Sequence, residues 1–152
     1  MIETEADLAA QERIASELKQ RWPEIAFLGE EMPADRQARL LQSDQPVWCL
    51  DPLDGTKEFL ARTGEFTINI ALVDGHRPVL GVIYLPLEEV AYVGIPGVGA
   101  HSHHFEEGGW RRRVLGGRKL EQGRPLKVLA SAASVSTVSR VVVLEDDRPP
   151  FC

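Results

Sequence analysis

The run Val47-Trp48-Cys49-Leu50-Asp51-Pro52-Leu53-Asp54-Gly55-Thr56 constrains this chain more than any other stretch. Four residues of buried-strand type end abruptly in two acids spaced three apart. Pro52 biases Asp51 toward an extended backbone, and Gly55 permits a tight turn just past Asp54. Both carboxylates and the Leu53 carbonyl can then converge on one point. Such an all-oxygen nest suits Mg²⁺ and not a soft metal. The alternative is a plain surface turn, because these residue types all favour turns. Context argues against it: the turn follows a buried strand, and a second apolar run, Ile25-Ala26-Phe27-Leu28-Gly29, delivers Glu30 and Glu31 to its own tip.

Around this centre the chain reads as helix first and sheet afterwards. Thr4-Glu5-Ala6-Asp7 fits a capping box. Leu8, Ala15, Leu18 and Trp22 follow near one helical face, until Pro23 ends the run. Residues 32–46 are polar and read as a loop with a helical turn around Arg36 to Leu41. Lys57 to Arg62 suits a short helix. Phe66 to Val73, the turn signal Asp74-Gly75, Pro78 to Tyr84 and Glu89 to Ile95 form an antiparallel series. Residues 101–123 are rich in Gly and Arg and give no clear assignment, and Leu126 to Ala130 reads as a last strand. The fold class is therefore α+β, with helices packed on a mainly antiparallel sheet whose strand tips carry acids.

Composition narrows the partners. At 152 residues the chain accommodates one domain with a sizeable core. A net charge of −6 excludes a nucleic-acid backbone as the main partner. It leaves room for a phosphorylated small molecule, because a bound cation reverses the sign of a small site. Cys49 and Cys152 do not suggest a structural disulfide. No segment has the length of a membrane span and the N-terminus lacks a signal pattern, so the expected location is cytoplasmic, with peripheral association at the inner membrane left open.

Gly55 and Thr56 open the short helix beside the acidic nest, and free N–H groups at a helix start hold phosphate oxygens. Metal and phosphate sites side by side make the arrangement for metal-assisted phosphoryl transfer to water. These residues carry a resemblance. Gly29-Glu30-Glu31 and Trp48 through Phe59 resemble the signature of the inositol monophosphatase superfamily. Lys57-Glu58-Phe59 and Gly64 to Leu72 are similar to its CysQ-type 3′(2′),5′-bisphosphate nucleotidase branch. The likeness runs from about Thr4 to about Ser131.

The resemblance implies roles residue by residue. Glu30, Asp51, the Leu53 carbonyl and Asp54 become Mg²⁺ ligands, with Asp51 bridging two ions. Leu53, Asp54, Gly55 and Thr56 contact the substrate phosphate. Asp7 pairs with Thr56 to orient the attacking water, so Asp7 has both a helix-capping reading and a catalytic one. Glu31 becomes a supporting acid, and Lys57 either screens phosphate charge or is an ordinary surface lysine. The implied substrate is adenosine 3′,5′-bisphosphate, losing its 3′-phosphate to give AMP, with 3′-phosphoadenylyl sulfate as a second. Lithium sensitivity is also implied. The runner-up is hydrolysis of an inositol phosphate or another sugar phosphate, and a separate alternative is a metal-binding remnant without turnover.

The family pattern is met only in part. The chain matches the N-terminal half of the layered sugar-phosphatase fold, and the C-terminal α/β half, with the aspartate that completes the second metal site, is expected to be missing. Residues 1–131 are read as a partial phosphatase domain. Residues 132–152 are read as a tail of uncertain origin, produced by a fragment or a shifted reading frame. Asp146 and Asp147 lack the family's Trp-Asp context and inherit no role. His101-Ser102-His103-His104 lacks the second ligand cluster that zinc requires and reads as a polar loop. Trp110-Arg111-Arg112-Arg113 reads as a solvated basic loop, and Cys49 as a small buried hydrophobe.

Overall fold

The computed structural model describes residues 5–29 and 32–116. Helix α1, Glu5–Arg21, is followed by strand β1, Ala26–Gly29, and helix α2, Ala34–Leu41. Strand β2, Val47–Asp54, leads into the one-and-a-half-turn helix α3, Thr56–Leu60. Five further strands complete the order: β3 Thr67–Asp74, β4 Arg77–Leu85, β5 Val90–Ile95, β6 Gly99–Glu106 and β7 Gly109–Leu115. All seven lie in one sheet in sequence order. Only the β1–β2 pair is parallel, with α2 as its crossover. The α+β expectation with a mainly antiparallel sheet holds.

Helix α1 lies on β1 and β2. Its inward face runs through Asp7, Gln11, Ile14 and Leu18, the spacing of a single helical stripe. Leu8 is not part of it and stands exposed, which corrects the sequence-based face. Leu18 stays in the stripe, while a buried acid, Asp7, takes the inward place expected of Leu8. Past the end of α1, the Trp22 ring meets Trp48 of β2 at 5.4 Å between centroids. With Val47, Leu50, Leu53 and Val90, Trp48 makes the buried apolar core. Gly29 is the point of closest helix–strand approach: a Cβ there would stand 2.5 Å from Gln11 Oε1.

Two assignments change. The polar stretch expected to be a loop with a turn holds a full helix, α2, anchored where the Gln37 side-chain amide donates to the Met32 carbonyl at 2.9 Å. Residues 101–115, unassigned or read as polar and basic loops, instead form β6 and β7, paired from Ala100↔Leu115 to Glu106↔Gly109. There His101 and Ser102 are buried, not loop-exposed. The strand expected at Leu126 to Ala130, the domain boundary at Ser131 and the tail 132–152 lie outside the described residues.

Candidate active site at the tip of the second strand

In a regular strand, residues three apart point to opposite faces, so Asp51 and Asp54 should diverge. They do not, because β2 carries a bulge. Asp51 pairs with Asn69 and Asp54 with Thr67, so three steps along β2 oppose two along β3. The extra residue restores the phase and turns Asp54 to the Asp51 side of the sheet. Proline has no N–H to give a ladder, so it sits at an interruption at little cost.

Local hydrogen bonds hold the turn. The Leu53 N–H donates to Asp51 Oδ1 at 3.2 Å, and the Thr56 hydroxyl donates to the Leu53 carbonyl at 3.2 Å. Gly55 caps α3 at φ 98°, a left-handed conformation that side chains resist. A Cβ on it would come within 2.7 Å of the Glu65 carbonyl oxygen. Behind the turn, Phe59 of α3 meets Phe66 edge-on at 5.1 Å between centroids. On β3, the Asn69 amide donates to Asp54 Oδ2 at 3.0 Å, while Asn69 Oδ1 accepts from the Thr67 hydroxyl at 3.2 Å.

The electrostatics are those of clustered acids. The pKa of Asp51 is raised, first by burial and then by Asp54 and Asp7, against a lowering by the Leu53 N–H. Asp7 is buried at 8% exposure within the first turns of α1. Among the described residues no arginine or lysine forms an ion pair with Asp51 or Asp54. Nor do any three described acids, histidines or cysteines stand close enough together to cage a metal by themselves. Glu30 and Glu31, the acids nominated from the tip of β1, lie outside the described residues. So does Thr4, the cap of the proposed box, whereas Asp7 is placed and buried.

Next to Asp51 a cavity of about 660 Å³ opens on the sheet, bordered by Gly29, Gln37, Cys49, Asn69 and Ile83. Burial pushes the Cys49 thiol pKa up, which keeps it protonated and unreactive. Lys57 is exposed. The histidines of β6 do not converge. His101 and His103 share one face, while His104, one step on, bonds to Ser102 on the other at 3.0 Å. Asn69 went unremarked in the sequence as a site residue. Its signal was a lone amide in the apolar alternation Ile68-Asn69-Ile70.

Residues 2–142 match the inositol monophosphatase family. The chain belongs to this family. The family match runs past Ser131. Among curated proteins, the 3′(2′),5′-bisphosphate nucleotidase CysQ of Escherichia coli strain K12 is 41% identical over 128 residues, covering 84% of this chain and 48% of that protein. Among solved structures, CysQ from Bacteroides thetaiotaomicron, a bacterial member of the family, superposes with a TM-score of 0.57 at 43% identity. That match covers 64% of this chain and 35% of the other. An IMPase/NADP phosphatase complexed with Mg²⁺ and phosphate gives a TM-score of 0.57 at 26% identity, covering 64% of this chain and 36% of its own. The chain thus spans about half the length of the curated family members it matches.

Proposed function

We propose that this chain carries the metal- and phosphate-binding half of a Mg²⁺-dependent phosphomonoesterase that removes the 3′-phosphate of adenosine 3′,5′-bisphosphate. The observation that supports this reading most is the bulge in β2, which turns Asp51 and Asp54 to one side beside Thr56. The donor set fits the ion. Every candidate group is an oxygen, and Asp51 sits among like charges with its pKa raised, the state of a carboxylate that awaits a cation. The 41% identity to a bisphosphate nucleotidase supports the substrate, and the neighbour holding Mg²⁺ and phosphate supports the cofactor.

In this reading Glu30, Asp51, the Leu53 carbonyl and Asp54 would hold Mg²⁺. Bound Mg²⁺ would supply Lewis-acid polarisation of the phosphoryl group and of the attacking water. The residues of the chain do the rest. Amides from Asp54 to Thr56 would grip the phosphate oxygens, the Leu53 N–H being held by Asp51; with α3 so short, its dipole adds little to their direct hydrogen bonds. The Thr56 hydroxyl, which donates to the Leu53 carbonyl here, turns toward Asp7, and the pair aims the water in line with the ester bond.

Phosphate release from the purified chain tests the reading. Adenosine 3′,5′-bisphosphate and inositol 1-phosphate are compared with Mg²⁺, with and without Li⁺. Preferred hydrolysis of the nucleotide, inhibited by Li⁺, is the expected result. Preference for the inositol ester would transfer the substrate to the sugar-phosphate class. Mg²⁺ binding without any turnover would reduce the chain to a binding module.

A further inference from the structure

We infer that Asn69 is a positioning residue: it fixes which oxygen of Asp54 faces the cation, and Thr67 in turn steadies the Asn69 amide. This inference rests on the metal-binding reading of Asp51 and Asp54 given above. Three observations carry it. Asn69 stands directly opposite Asp51 in the ladder, and Thr67 opposite Asp54. The Asn69 Nδ2 donates to Asp54 Oδ2 at 3.0 Å, which engages one carboxylate oxygen and leaves Oδ1 for another partner. The Thr67 hydroxyl donates to Asn69 Oδ1 at 3.2 Å, which steadies the amide in the orientation that the acceptor-only Asp54 carboxylate demands of it.

The chemistry explains why an amide stands here. Asp54 is solvent-exposed and has rotational freedom of its own. A carboxylate free to rotate loses entropy each time it takes up an ion; one already held by a neutral donor does not. A lysine or arginine in the same place would hold Asp54 equally well. Its positive charge would also repel the incoming cation and neutralise the ligand. An amide holds the carboxylate without adding charge. Thr67 and Asn69, two apart on β3, point to the same side of the sheet, so the strand itself sets their spacing.

The test is a titration of the metal-stripped full chain with Mn²⁺, followed by the paramagnetic resonance signal of the free ion, alongside thermal unfolding without metal. Asn69→Leu keeps the branched shape of the side chain and removes both hydrogen bonds. It is expected to weaken Mn²⁺ binding about 10-fold or more, the usual effect of losing a ligand's supporting partner. Thr67→Val leaves Asn69 in place and removes the bond that steadies its amide; a smaller weakening, about twofold, is expected if the held arrangement falls to half the population. If Asn69→Leu unfolds, Thr67→Val decides alone. Wild-type affinity in either folded variant would overturn the inference while leaving the metal site intact. Failure of the wild-type chain to take up Mn²⁺ would overturn the metal reading, and this inference with it.

Discussion

The tip of β2 and the β6–β7 hairpin handle charge in opposite ways. In the hairpin every arginine has a partner. Arg111 and Arg113 each reach Glu106 at 2.9 Å, and Arg112 bonds the ring of His101. At the tip of β2, Asp51 is raised by burial and by Asp54 and Asp7, and no cation of the described chain pairs with it or with Asp54. The first pattern is self-contained and adds little: exposed pairs of this kind contribute about 0–1 kcal/mol each. In the proposed reading the second gains its balance from a bound cation.

The sharpest way to break this contrast is Gly55→Ala. The substitution forces a Cβ into a left-handed residue and against the Glu65 carbonyl. A loss of about 1–3 kcal/mol of stability is expected, together with loss of divalent-ion binding, while the hairpin retains its structure. Chemical denaturation and Mn²⁺ titration of the same sample check both halves; unchanged values in both would show that the turn geometry is not needed. Next in size is Asp51→Asn. Without metal at neutral pH it should raise the melting temperature by relieving repulsion. With millimolar Mg²⁺ the order should reverse, because only the wild type gains binding free energy. A variant that stays more stable in both conditions would remove Asp51 from the site.

The pH response separates the regions by sign. The folded pKa of Asp51 lies above its unfolded value, so its contribution is present at low pH and is lost as pH rises through the folded pKa. His101 runs the other way. Burial, then Arg112 and His103, hold its folded pKa below the ordinary value. Its contribution is therefore present above the unfolded pKa of about 6.5 and lost as pH falls below it. Thermal melts of metal-free Asp51→Asn and His101→Gln against pH should flatten opposite limbs of the curve. Flattening of the same limb by both would refute the signs. The smallest effect is expected from Glu106→Gln, which leaves its arginines partly bonded: under about 1 kcal/mol, weaker still in high salt, and none on Mn²⁺ binding.

The same two regions differ in how far the sequence announced them. Val47 to Leu50 and the acid–proline–acid–glycine run are legible because each residue type does one local job: buried strand, extended stop, turn. The bulge itself was not read. It depends on which residues of β3 lie opposite, and a pairing register is not written in either strand alone. For the same reason Asn69 escaped notice until Asp54 was seen across from it. The hairpin was illegible for a different reason. His101, His103 and Arg112 on one face and Ser102, His104 and Arg113 on the other leave no apolar alternation to mark a strand. Its cohesion comes from the backbone ladder and from Trp110, whose ring meets Phe105 at 5.3 Å and Tyr84 at 6.3 Å. Helix α2 was nearly read, as one turn of it, because Pro33 and the polar composition masked its start.

The order of the sheet bears on how such a chain comes to be assembled. From β2 to β7 each strand lies beside the one synthesised immediately before it, so five successive hairpin closures build the sheet from β2 to β7. Short loops close quickly and demand little entropy. The ribbon can therefore grow by accretion during translation, each new segment templated on a finished edge. Aspartates 51 and 54 are pinned face to face with β3 at the first of those closures, before the later strands exist.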